Sequence, residues 1–377
     1  KHGIKDSVDL LAQDILVAGA YLNDPAKVRV LAEHALSNYE WTVKELGVEY
    51  NLDAIGQEGG HSVPRYVFTK NGSGSGIVRK ELDKCKELGI PLRNRVFVEH
   101  IIRGDNGVEG VQVREGYRFP KADSGKVKTI RATKGVVLCY GGFSADVKFR
   151  MFQDPKLNET LDTTNQPGAT SEMWRETSAI GALQVQNDWI QCGPWGCPRE
   201  KGMGIGWQFN QTAAAEYGLW VNAEGKRFVN ELANRKVRAD AIVAIGHPCV
   251  IYTCEANVMN AIVGHNMTDK LWEHALKTGV VKKFDTLKDL AAGYGIDYAT
   301  LEKTNETFNG YMKAMKDPEF DCMFFKGASV NDKGPFYGVR LWPRVHHCMG
   351  GLEINEHAQV MSVRGTPIKG LYAAGEA

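Results

Sequence analysis

Gly135-Val-Val-Leu-Cys-Tyr-Gly-Gly-Phe143 is a short apolar run that ends in two glycines. Such a run is typical of a buried strand, and glycines at its end allow the backbone to lie close to a bound ligand. Gly370-Leu-Tyr-Ala-Ala-Gly-Glu376, near the other end of the chain, has the same design. These segments therefore predict two buried strands, far apart in the sequence, that each end beside a ligand.

The residues before the first of these strands predict two helices. Asp6-Ser-Val-Asp-Leu-Leu supplies capping residues and opens the first helix. Asp24 caps the second helix, Pro25 takes its first position, and Gly47 follows its last turn. One apolar face at helical spacing predicts burial of Val28, Leu31, Ala32, Ala35, Tyr39, Val43 and Leu46.

A glycine-rich stretch, residues 59–76, precedes a third predicted helix over residues 77–88. Its glycines are candidates for binding a ligand through the backbone, because a chain without side chains approaches closely and offers N–H groups to an anion. The candidates are Gly59, Gly60, Gly72 and Gly74. A flexible loop is the alternative interpretation.

The pattern of residue types then changes along the chain. Residues 95–114 alternate in polarity on both sides of Asp105-Asn106-Gly107, which predicts a β-hairpin, and residues 128–132 predict a further strand. Residues 188–347 are instead rich in tryptophan and glycine at their start and helical over about 256–316. This shift predicts a second domain inserted into the first.

Composition excludes several classes of protein. With 43% hydrophobic residues, 24% charged residues and a net charge of +1, the 377-residue chain is typical of a globular protein with room for two domains. Its charge balance gives no reason to expect nucleic acid or an anionic membrane as a partner. No apolar run reaches the roughly 18 residues of a membrane span. None of the eight cysteines forms a C-x-x-C pair, so the sequence predicts free thiols, no attached haem and no metal site.

Five stretches, taken in order, carry a family resemblance. They are Thr164-Asn-Gln-Pro-Gly-Ala169, Gly225-Lys-Arg-Phe-Val-Asn-Glu-Leu-Ala-Asn-Arg235, the helical Thr286–Phe320, Val345-His-His-Cys-Met-Gly-Gly351 and Gly370–Glu376. Together they resemble the FAD-dependent fumarate reductase and succinate dehydrogenase flavoprotein family, and within it the flavocytochrome c-type fumarate and urocanate reductases. Each motif alone is weakly specific, but five in order over nearly the whole chain are strongly specific.

The resemblance implies an α/β fold with a discontinuous, Rossmann-like FAD-binding domain at residues 1–187 and 348–377. It implies an α+β capping (clamp) domain at residues 188–347, noncovalent FAD, and an active site between the domains. The family's G-x-G-x-x-G turn and a C-terminal segment with a substrate-binding arginine would lie outside residues 1–377. We therefore expect the sequence to be an internal piece of a longer flavoprotein.

The resemblance also implies roles for individual residues at the substrate. Arg235 matches the arginine that donates the proton, and His346 matches the histidine that binds the substrate carboxylate. A structural ion pair of Arg235 with Glu231 or Asp240 is the alternative for the arginine. For His346 the alternative is a core histidine that makes a backbone hydrogen bond.

At the cofactor, the resemblance implies four contacts. His347 and Glu376 match residues beside the isoalloxazine ring and the ribityl chain, where a carboxylate suits hydroxyl groups. Gly141 and Gly142 match the glycines that let the backbone pass the flavin.

Departures from the family pattern concern the substrate. Gly193 stands where fumarate reductases carry a histidine that binds a second carboxylate, and Asn210-Gln211 stand where they carry a substrate-binding Thr-Glu pair. A dicarboxylate site without these groups loses affinity, because an unpaired buried carboxylate costs several kcal/mol. Gly193, Asn210 and Gln211 therefore predict a substrate other than fumarate.

The proton relay and the aromatic residues depart as well. A relay arginine aligns with Ala214, so Glu216, Tyr217 or Glu231 would have to replace it. Three tryptophans of this region are predicted core residues that could alternatively cover a flat substituent, as in urocanate or cinnamate; they are Trp195, Trp207 and Trp220.

The resulting prediction is a flavin-dependent reductase of an unsaturated carboxylate (an enoate), of the kind used in anaerobic respiration. Electrons would come from a cytochrome or flavin domain, or a partner protein, outside the chain. The alternatives are fumarate reductase proper, a relative of the 3-ketosteroid dehydrogenases, and a non-catalytic interaction domain. The resemblance favours the periplasm over the cytoplasm, and the residues themselves do not decide.

Overall fold

The computed structural model describes residues 2–57, 60–210, 218–264, 269–324 and 329–377. The chain forms two compact units, one made of Lys1–Val137 and Glu353–Ala373 and the other of Leu138–Leu352 and Ala374–Ala377. The limits predicted for the FAD-binding and capping domains do not fall at these borders, and they remain a prediction.

Both units contain helices and strands. The helices are α1 (Val8–Ala18), α2 (Pro25–Lys44), α3 (Ser75–Glu87), α4 (Val147–Gln153), α5 (Glu172–Ala179), α6 (Gly206–Phe209), α7 (Arg235–Ile245), α8 (Glu255–Gly264), α9 (Asp269–Lys277), α10 (Leu287–Tyr294) and α11 (Tyr298–Ala314). The strands are β1 (Tyr50–Gly56), β2 (Tyr66–Thr69), β3 (Val96–Gly104), β4 (Gly107–Glu115), β5 (Lys126–Arg131), β6 (Val136–Leu138), β7 (Gln184–Val185), β8 (Ile190–Gly193), β9 (Leu219–Val221), β10 (Cys249–Cys254), β11 (Lys282–Phe284), β12 (Phe336–Leu341), β13 (Arg344–Cys348), β14 (Gly351–Leu352), β15 (Gln359–Met361) and β16 (Pro367–Ala373). Within the described ranges, no helix combines the length and apolar character needed to cross a bilayer.

The first unit begins with two helices whose starts agree with the sequence prediction. The Ser7 hydroxyl accepts a hydrogen bond from the Leu10 N–H at 3.1 Å and caps α1. Asp24 accepts from the Ala26 N–H at 2.9 Å and caps α2, with Pro25 in the first helical position. The caps follow from local chemistry, which is why they could be predicted.

The buried face predicted for α2 is confirmed only in part. Val28, Ala32 and Leu46 are buried and Tyr39 is half-buried, whereas Leu31, Ala35 and Val43 are exposed. Helix α1 packs against α2, but it has 11 residues against 20. At about 1.5 Å per residue it can cover at most roughly half of the longer helix, so the whole predicted face cannot be buried against α1.

The hairpin predicted in the first unit is present. Strands β3, β4 and β5 form an antiparallel sheet in that order. Gly104 pairs with Gly107 across the turn, so the two residues between them, Asp105 and Asn106, form the connection. This confirms the turn signal in the sequence.

The largest sheet of the second unit has four strands in the order β11-β12-β10-β9. All six residues of its central strand β10 are buried, and helices α8, α10 and α11 pack against the sheet. The prediction of helix throughout residues 256–316 is wrong at β11, because Lys282–Phe284 pairs with β12 at the edge of this sheet. A partner strand distant in sequence overrides a local helical pattern there.

Strands β8 and β13 pair and bring two distant segments together. Cys192 lies opposite Val345 and Gln191 lies opposite His347. One step on β8 therefore corresponds to two steps on β13, and His346 is the additional residue of a β-bulge. A bulge redirects the side chain at the irregular position, and this one places His346 in the site described below.

The two glycine-ended strands predicted from the sequence are β6 and β16, which lie in one sheet in the order β15-β16-β6. Their predicted burial is confirmed only in part, because Val137 of β6 is exposed and only three of the seven residues of β16 are buried. The N–H of Ala374 donates to the carbonyl of Leu138 at 3.0 Å. The two segments therefore end next to each other. At Gly141 the backbone has a φ of +81°, a conformation that glycine adopts freely.

Candidate active site

Arg235 is the first residue of α7, and its position is set by the helix cap. The Asn234 side chain accepts a hydrogen bond from the Val237 N–H at 3.0 Å. The Nη1 atom of Arg235 lies 3.5 Å from Oε1 of Gln191. Its guanidinium carbon lies 5.2 Å from the ring centre of Trp195. The helix N-terminus thus presents a half-buried guanidinium to one face of an indole.

The structural ion pair considered for Arg235 does not form. Glu231 binds Arg227 at 2.7 Å, and Asp240 binds Lys236 at 2.7 Å. Over the residues that the structure describes, Arg235 has no carboxylate partner. Its charge is therefore available to an anionic ligand.

His346 is half-buried and is oriented by a threonine. Its Nδ1 atom lies 2.7 Å from Oγ1 of Thr164, and the Asn165 amide donates to its backbone carbonyl at 2.9 Å. Burial, followed by the charges of Arg235 and His347, lowers the pKa of His346. The imidazole is therefore neutral near pH 7. Its ring bonds to a side chain and not to the backbone, unlike the core histidine considered as the alternative.

Two buried tryptophans connect the predicted substrate residues. The rings of Trp195 and Trp207 meet edge to face with centres 5.2 Å apart. Trp207 also lies 5.1 Å from the ring of His346, and Arg235 faces Trp195. The Asn210 amide donates to the Trp195 carbonyl at 3.1 Å. Residues from three separate motifs thus surround one aromatic pair.

The aromatic pair is also part of the core, as the sequence predicted. Trp195, Trp207 and Trp220 all belong to one buried cluster, which Ile251 and Val339 of the large sheet help to form. Trp195 and Trp207 therefore pack in the core and also form the wall that the predicted substrate residues face.

Gly193 lies against Trp207. A Cβ atom on Gly193 would be 2.0 Å from Cη2 of Trp207 and 2.6 Å from Cζ3, well inside the contact distance of two carbon atoms, about 3.5 Å. The space of a side chain at position 193 is therefore filled by the indole.

Arg238 lies one turn after Arg235 on α7 and is a second buried arginine. Its guanidinium carbon lies 4.8 Å from the ring centre of Trp195 and 5.6 Å from that of Trp220. Its Nη1 donates to the Glu231 carbonyl at 3.0 Å, while its Nε has no partner among the described residues. Burial, and then the charge of Arg235, lowers the pKa of Arg238 to about 10.

The predicted cofactor residues of the second unit lie together. Glu376 accepts the backbone N–H of Cys348 at 2.7 Å through Oε1, and its Oε2 lies 3.9 Å from Nε2 of His347. A Cβ atom on Gly142 would be 2.3 Å from Oε1 of Glu376, so a side chain there would displace the Glu376 carboxylate from its bond to the Cys348 N–H. The positive φ of Gly141 precedes this contact.

This cluster fits FAD. The Nδ1 atom of His347 is buried and has no partner in the part of the chain that the structure describes. Buried polar atoms are normally hydrogen-bonded, so a ligand with donors and acceptors is expected beside it. A flavin carries such groups on its ring, and its ribityl hydroxyls suit the Glu376 carboxylate.

The remaining predicted residues are placed as follows. In the first unit, Gly60 and Gly72 have positive φ of 91° and 63°, and Gly74 is the residue before α3. Their role at the cofactor remains a prediction. Gly59 and Gln211 lie outside the described residues.

The relay candidates are only partly described. Ala214, Glu216 and Tyr217 lie outside the described residues. Glu231 is fully buried, and Arg227 holds it with two hydrogen bonds of 2.9 and 2.7 Å. Its carboxylate is therefore already engaged by a cation.

Three residues to which the sequence analysis gave no role at the substrate complete the site: Gln191, Thr164 and Arg238. Gln191 is two positions before Gly193, a spacing that puts both on one face of a strand. Thr164 begins the Thr164–Ala169 motif, and Arg238 follows Arg235 by one helical turn. These spacings are visible in the sequence, but the contacts depend on the pairing of β8 with β13.

The whole chain, residues 1–377, matches the protein family described as FAD binding domain. The chain belongs to this family and is a flavin-dependent oxidoreductase with the mixed helix-and-sheet fold of the fumarate reductase flavoproteins. The predictions of the family, the fold class, the enzyme class and FAD are thereby confirmed.

Two relatives and one solved structure show the range of similar proteins. The chain is 39% identical over 389 residues to the acrylate reductase flavoprotein subunit of Shewanella woodyi, covering 100% of this chain and 74% of that protein. It is 31% identical over 385 residues to the urocanate reductase of Eggerthella lenta, covering 100% of this chain and 60% of that protein. The open conformation of a flavocytochrome c3 fumarate reductase superposes with a TM-score of 0.78 at 28% identity, covering 100% of this chain and 62% of that one.

Proposed function

We propose that the protein reduces the carbon–carbon double bond of an α,β-unsaturated carboxylate, with FAD bound noncovalently, and that fumarate is not its preferred substrate. The observation that carries this proposal is the placement of Arg235 and His346 against one aromatic pair, Trp195 and Trp207. A cationic donor and a neutral imidazole beside one apolar wall suit a small, flat anion.

The first requirement is the cofactor. When bound, FAD supplies the hydride that adds to one carbon of the double bond. Gly142, His347 and Glu376 would hold it through the contacts described above. Electrons would reach it from a cytochrome or flavin domain, or from a partner protein, and the Shewanella woodyi relative is itself a flavoprotein subunit.

Arg235 donates the proton that adds to the neighbouring carbon. A guanidinium holds its proton tightly, so the transfer requires the negative charge that develops on this carbon as the hydride arrives. Gln191 accepts from Nη1 of Arg235 at 3.5 Å, which orients the guanidinium. The product is the saturated carboxylate, and Arg235 then regains a solvent proton through the residues that replace the family's relay arginine.

His346 binds the substrate carboxylate. With Thr164 as the donor to Nδ1, the ring proton lies on Nε2, and this N–H donates to a carboxylate oxygen. The burial that lowers the pKa of His346 keeps the ring in this neutral form near pH 7. A hydrogen bond to an ionised group is stronger than one between neutral groups.

The geometry argues against a dicarboxylate. At position 193 there is no side chain, and Asn210 is fully buried with its Nδ2 bonded to the Trp195 carbonyl. A second carboxylate next to Trp207 would meet carbon atoms of the indole. Burial of a carboxylate without a donor costs several kcal/mol.

The test uses the full-length protein loaded with FAD and reduced anaerobically by a viologen dye. Dye oxidation is recorded with acrylate, urocanate, cinnamate and fumarate for wild type, Arg235→Ala and Lys236→Ala. Lys236 is the matched control, because it is the exposed neighbouring cation and pairs with Asp240. We expect turnover of at least one monocarboxylate enoate, lost in Arg235→Ala and kept in Lys236→Ala.

Other outcomes contradict the proposal. Fumarate turnover faster than that of every monocarboxylate would identify a fumarate reductase and refute the interpretation of Gly193. Flavin that is bound but is reduced only by a 3-ketosteroid would identify a dehydrogenase. Equal activity of the Arg235→Ala and Lys236→Ala variants would exclude Arg235 as the proton donor.

A further inference from the structure

Trp207 lies beside the predicted substrate residues His346 and Gly193. The indole is 3% exposed and is held between the edge of Trp195, with ring centres 5.2 Å apart, and the ring of His346, 5.1 Å away. It lies on the short helix α6, whose other aromatic residue, Phe209, is fully buried. The ring therefore has little freedom to move aside.

The part of Trp207 that lies against β8 is apolar. The atoms that occupy the space of a side chain at Gly193 are Cη2 and Cζ3, which belong to the six-membered ring. These carbon atoms offer no hydrogen-bond donor to an anion. The indole therefore both fills the space and removes its capacity to bind charge.

We infer that Trp207 is the residue that sets substrate size, restricting the site to unsaturated monocarboxylates with little or no substituent on the β-carbon, of which acrylate is the smallest. The inference rests on the proposed function. It replaces the expectation that the tryptophans cover a flat substituent such as that of urocanate or cinnamate. A β-aryl group next to His346 would have to occupy volume that the indole already fills.

Substitutions at Gly193 and at Trp207 should then be coupled in their effect on activity. A methyl group at position 193 would clash with the indole, so Gly193→Ala alone should disturb the ring and the site beside it. A smaller ring or chain at position 207 leaves room for that methyl group. The effects of the two substitutions are therefore expected to be non-additive, as for residues in direct contact.

The experiment measures kcat/KM of the FAD-loaded full-length protein for acrylate, crotonate and cinnamate. The variants are Trp207→Leu, Trp207→Phe, Gly193→Ala and the double variant Gly193→Ala/Trp207→Phe. Trp189→Leu is the matched control, since this tryptophan is 48% exposed. Flavin absorbance and far-UV circular dichroism establish that each variant is folded and loaded.

Wild type should prefer acrylate to cinnamate. Trp207→Leu should raise the cinnamate-to-acrylate ratio of kcat/KM by about tenfold or more, the effect of opening a hydrophobic pocket. Gly193→Ala should lower kcat/KM for acrylate. The double variant Gly193→Ala/Trp207→Phe should have a kcat/KM at least about fivefold higher than that of Gly193→Ala. Trp189→Leu should keep the wild-type ratio.

The outcomes that overturn the inference are distinct from those that overturn the proposed function. Wild type that reduces enoates, with ratios unchanged in Trp207→Leu or with additive effects in the double variant, refutes the role of Trp207 alone. If Trp207→Leu fails to load flavin, the comparison of Gly193→Ala with the double variant Gly193→Ala/Trp207→Phe tests the inference instead. Wild type that reduces no enoate refutes both.

Discussion

The Oγ1 atom of Thr164 lies 2.7 Å from Nδ1 of His346, so a threonine from one motif orients the imidazole of another. The contact spans a large sequence separation and depends on the bulge in β13 that places His346 out of the regular alternation. It determines which ring nitrogen is left to meet a substrate, as for histidines whose second nitrogen is held by a neighbour.

Thr164→Val should raise the KM for the enoate about five- to tenfold with little change in kcat, because one hydrogen bond is worth about 1–1.5 kcal/mol. The valine keeps the shape but leaves the imidazole free to take either tautomer. Steady-state kinetics measure the split between KM and kcat. Thr160→Val, at an exposed threonine that bonds Asn158, is the control and should behave as wild type.

The pH dependence of stability should carry a contribution from His346. Its pKa in the folded protein is lowered from 6.5 by burial and neighbouring charge, so the unfolded chain takes up the proton first as pH falls. The contribution is present above about pH 6.5 and is lost as pH falls through the lowered pKa. Denaturant unfolding between pH 7 and 5 should therefore show a smaller loss for His346→Gln than for wild type. His357→Gln, at an exposed position, should follow wild type.

Arg227 should be a strong contributor to stability. It lies 2.7 Å from both Glu231 and Asp317, and all three side chains are almost fully buried. Rings of Phe308 and Phe320 lie 4.7 and 4.9 Å from its guanidinium carbon. Arg227→Met leaves two buried carboxylates without a cation and should lower the free energy of unfolding by about 3–5 kcal/mol. A loss below about 1 kcal/mol in denaturant unfolding would contradict this.

Arg238 should have the opposite effect, because it is buried without a carboxylate partner in the described ranges. The lowering of its pKa from 12.5 to about 10 by burial and by Arg235 corresponds to a cost of about 3 kcal/mol for the charged form. The contacts with Trp195 and Trp220 return roughly 1 kcal/mol, and the hydrogen bond from Nη1 to the Glu231 carbonyl returns roughly 1 kcal/mol more. Arg238→Met should therefore raise the free energy of unfolding by about 1 kcal/mol at pH 7.

The sign of this effect can be checked with pH. As pH rises through about 10, the folded wild type releases the Arg238 proton before the unfolded chain does, and the cost diminishes. The advantage of Arg238→Met over wild type should therefore shrink between pH 9 and the highest pH at which the protein stays folded. An advantage that grows with pH would refute the assignment. Lys236→Met, at the exposed cation of the same helix, is the control.

Local chemistry determined the helix starts and the hairpin turn, and the family motifs could be recognised directly in the sequence. Asp24 and Pro25 define a helix start whatever surrounds them, and Asp105-Asn106-Gly107 defines a turn for the same reason. The motifs that contain Arg235, His346, Gly142 and Glu376 could be recognised because their residue order is preserved. Their presence was enough to predict a flavin enzyme that acts on an enoate.

Only the tertiary structure decided what those residues contact. The sequence shows only that Gly193 has no side chain. In the folded chain, the ring of Trp207 fills the space that a side chain at this position would occupy. The sequence likewise did not show that Arg238 has no carboxylate partner among the described residues, that Thr164 bonds His346, or that β11 forms at the edge of the sheet. The physical reason is that caps and turns are decided by neighbours in sequence, whereas cavities, pairings and buried charges are decided by segments that meet only after β8 pairs with β13 and β11 pairs with β12.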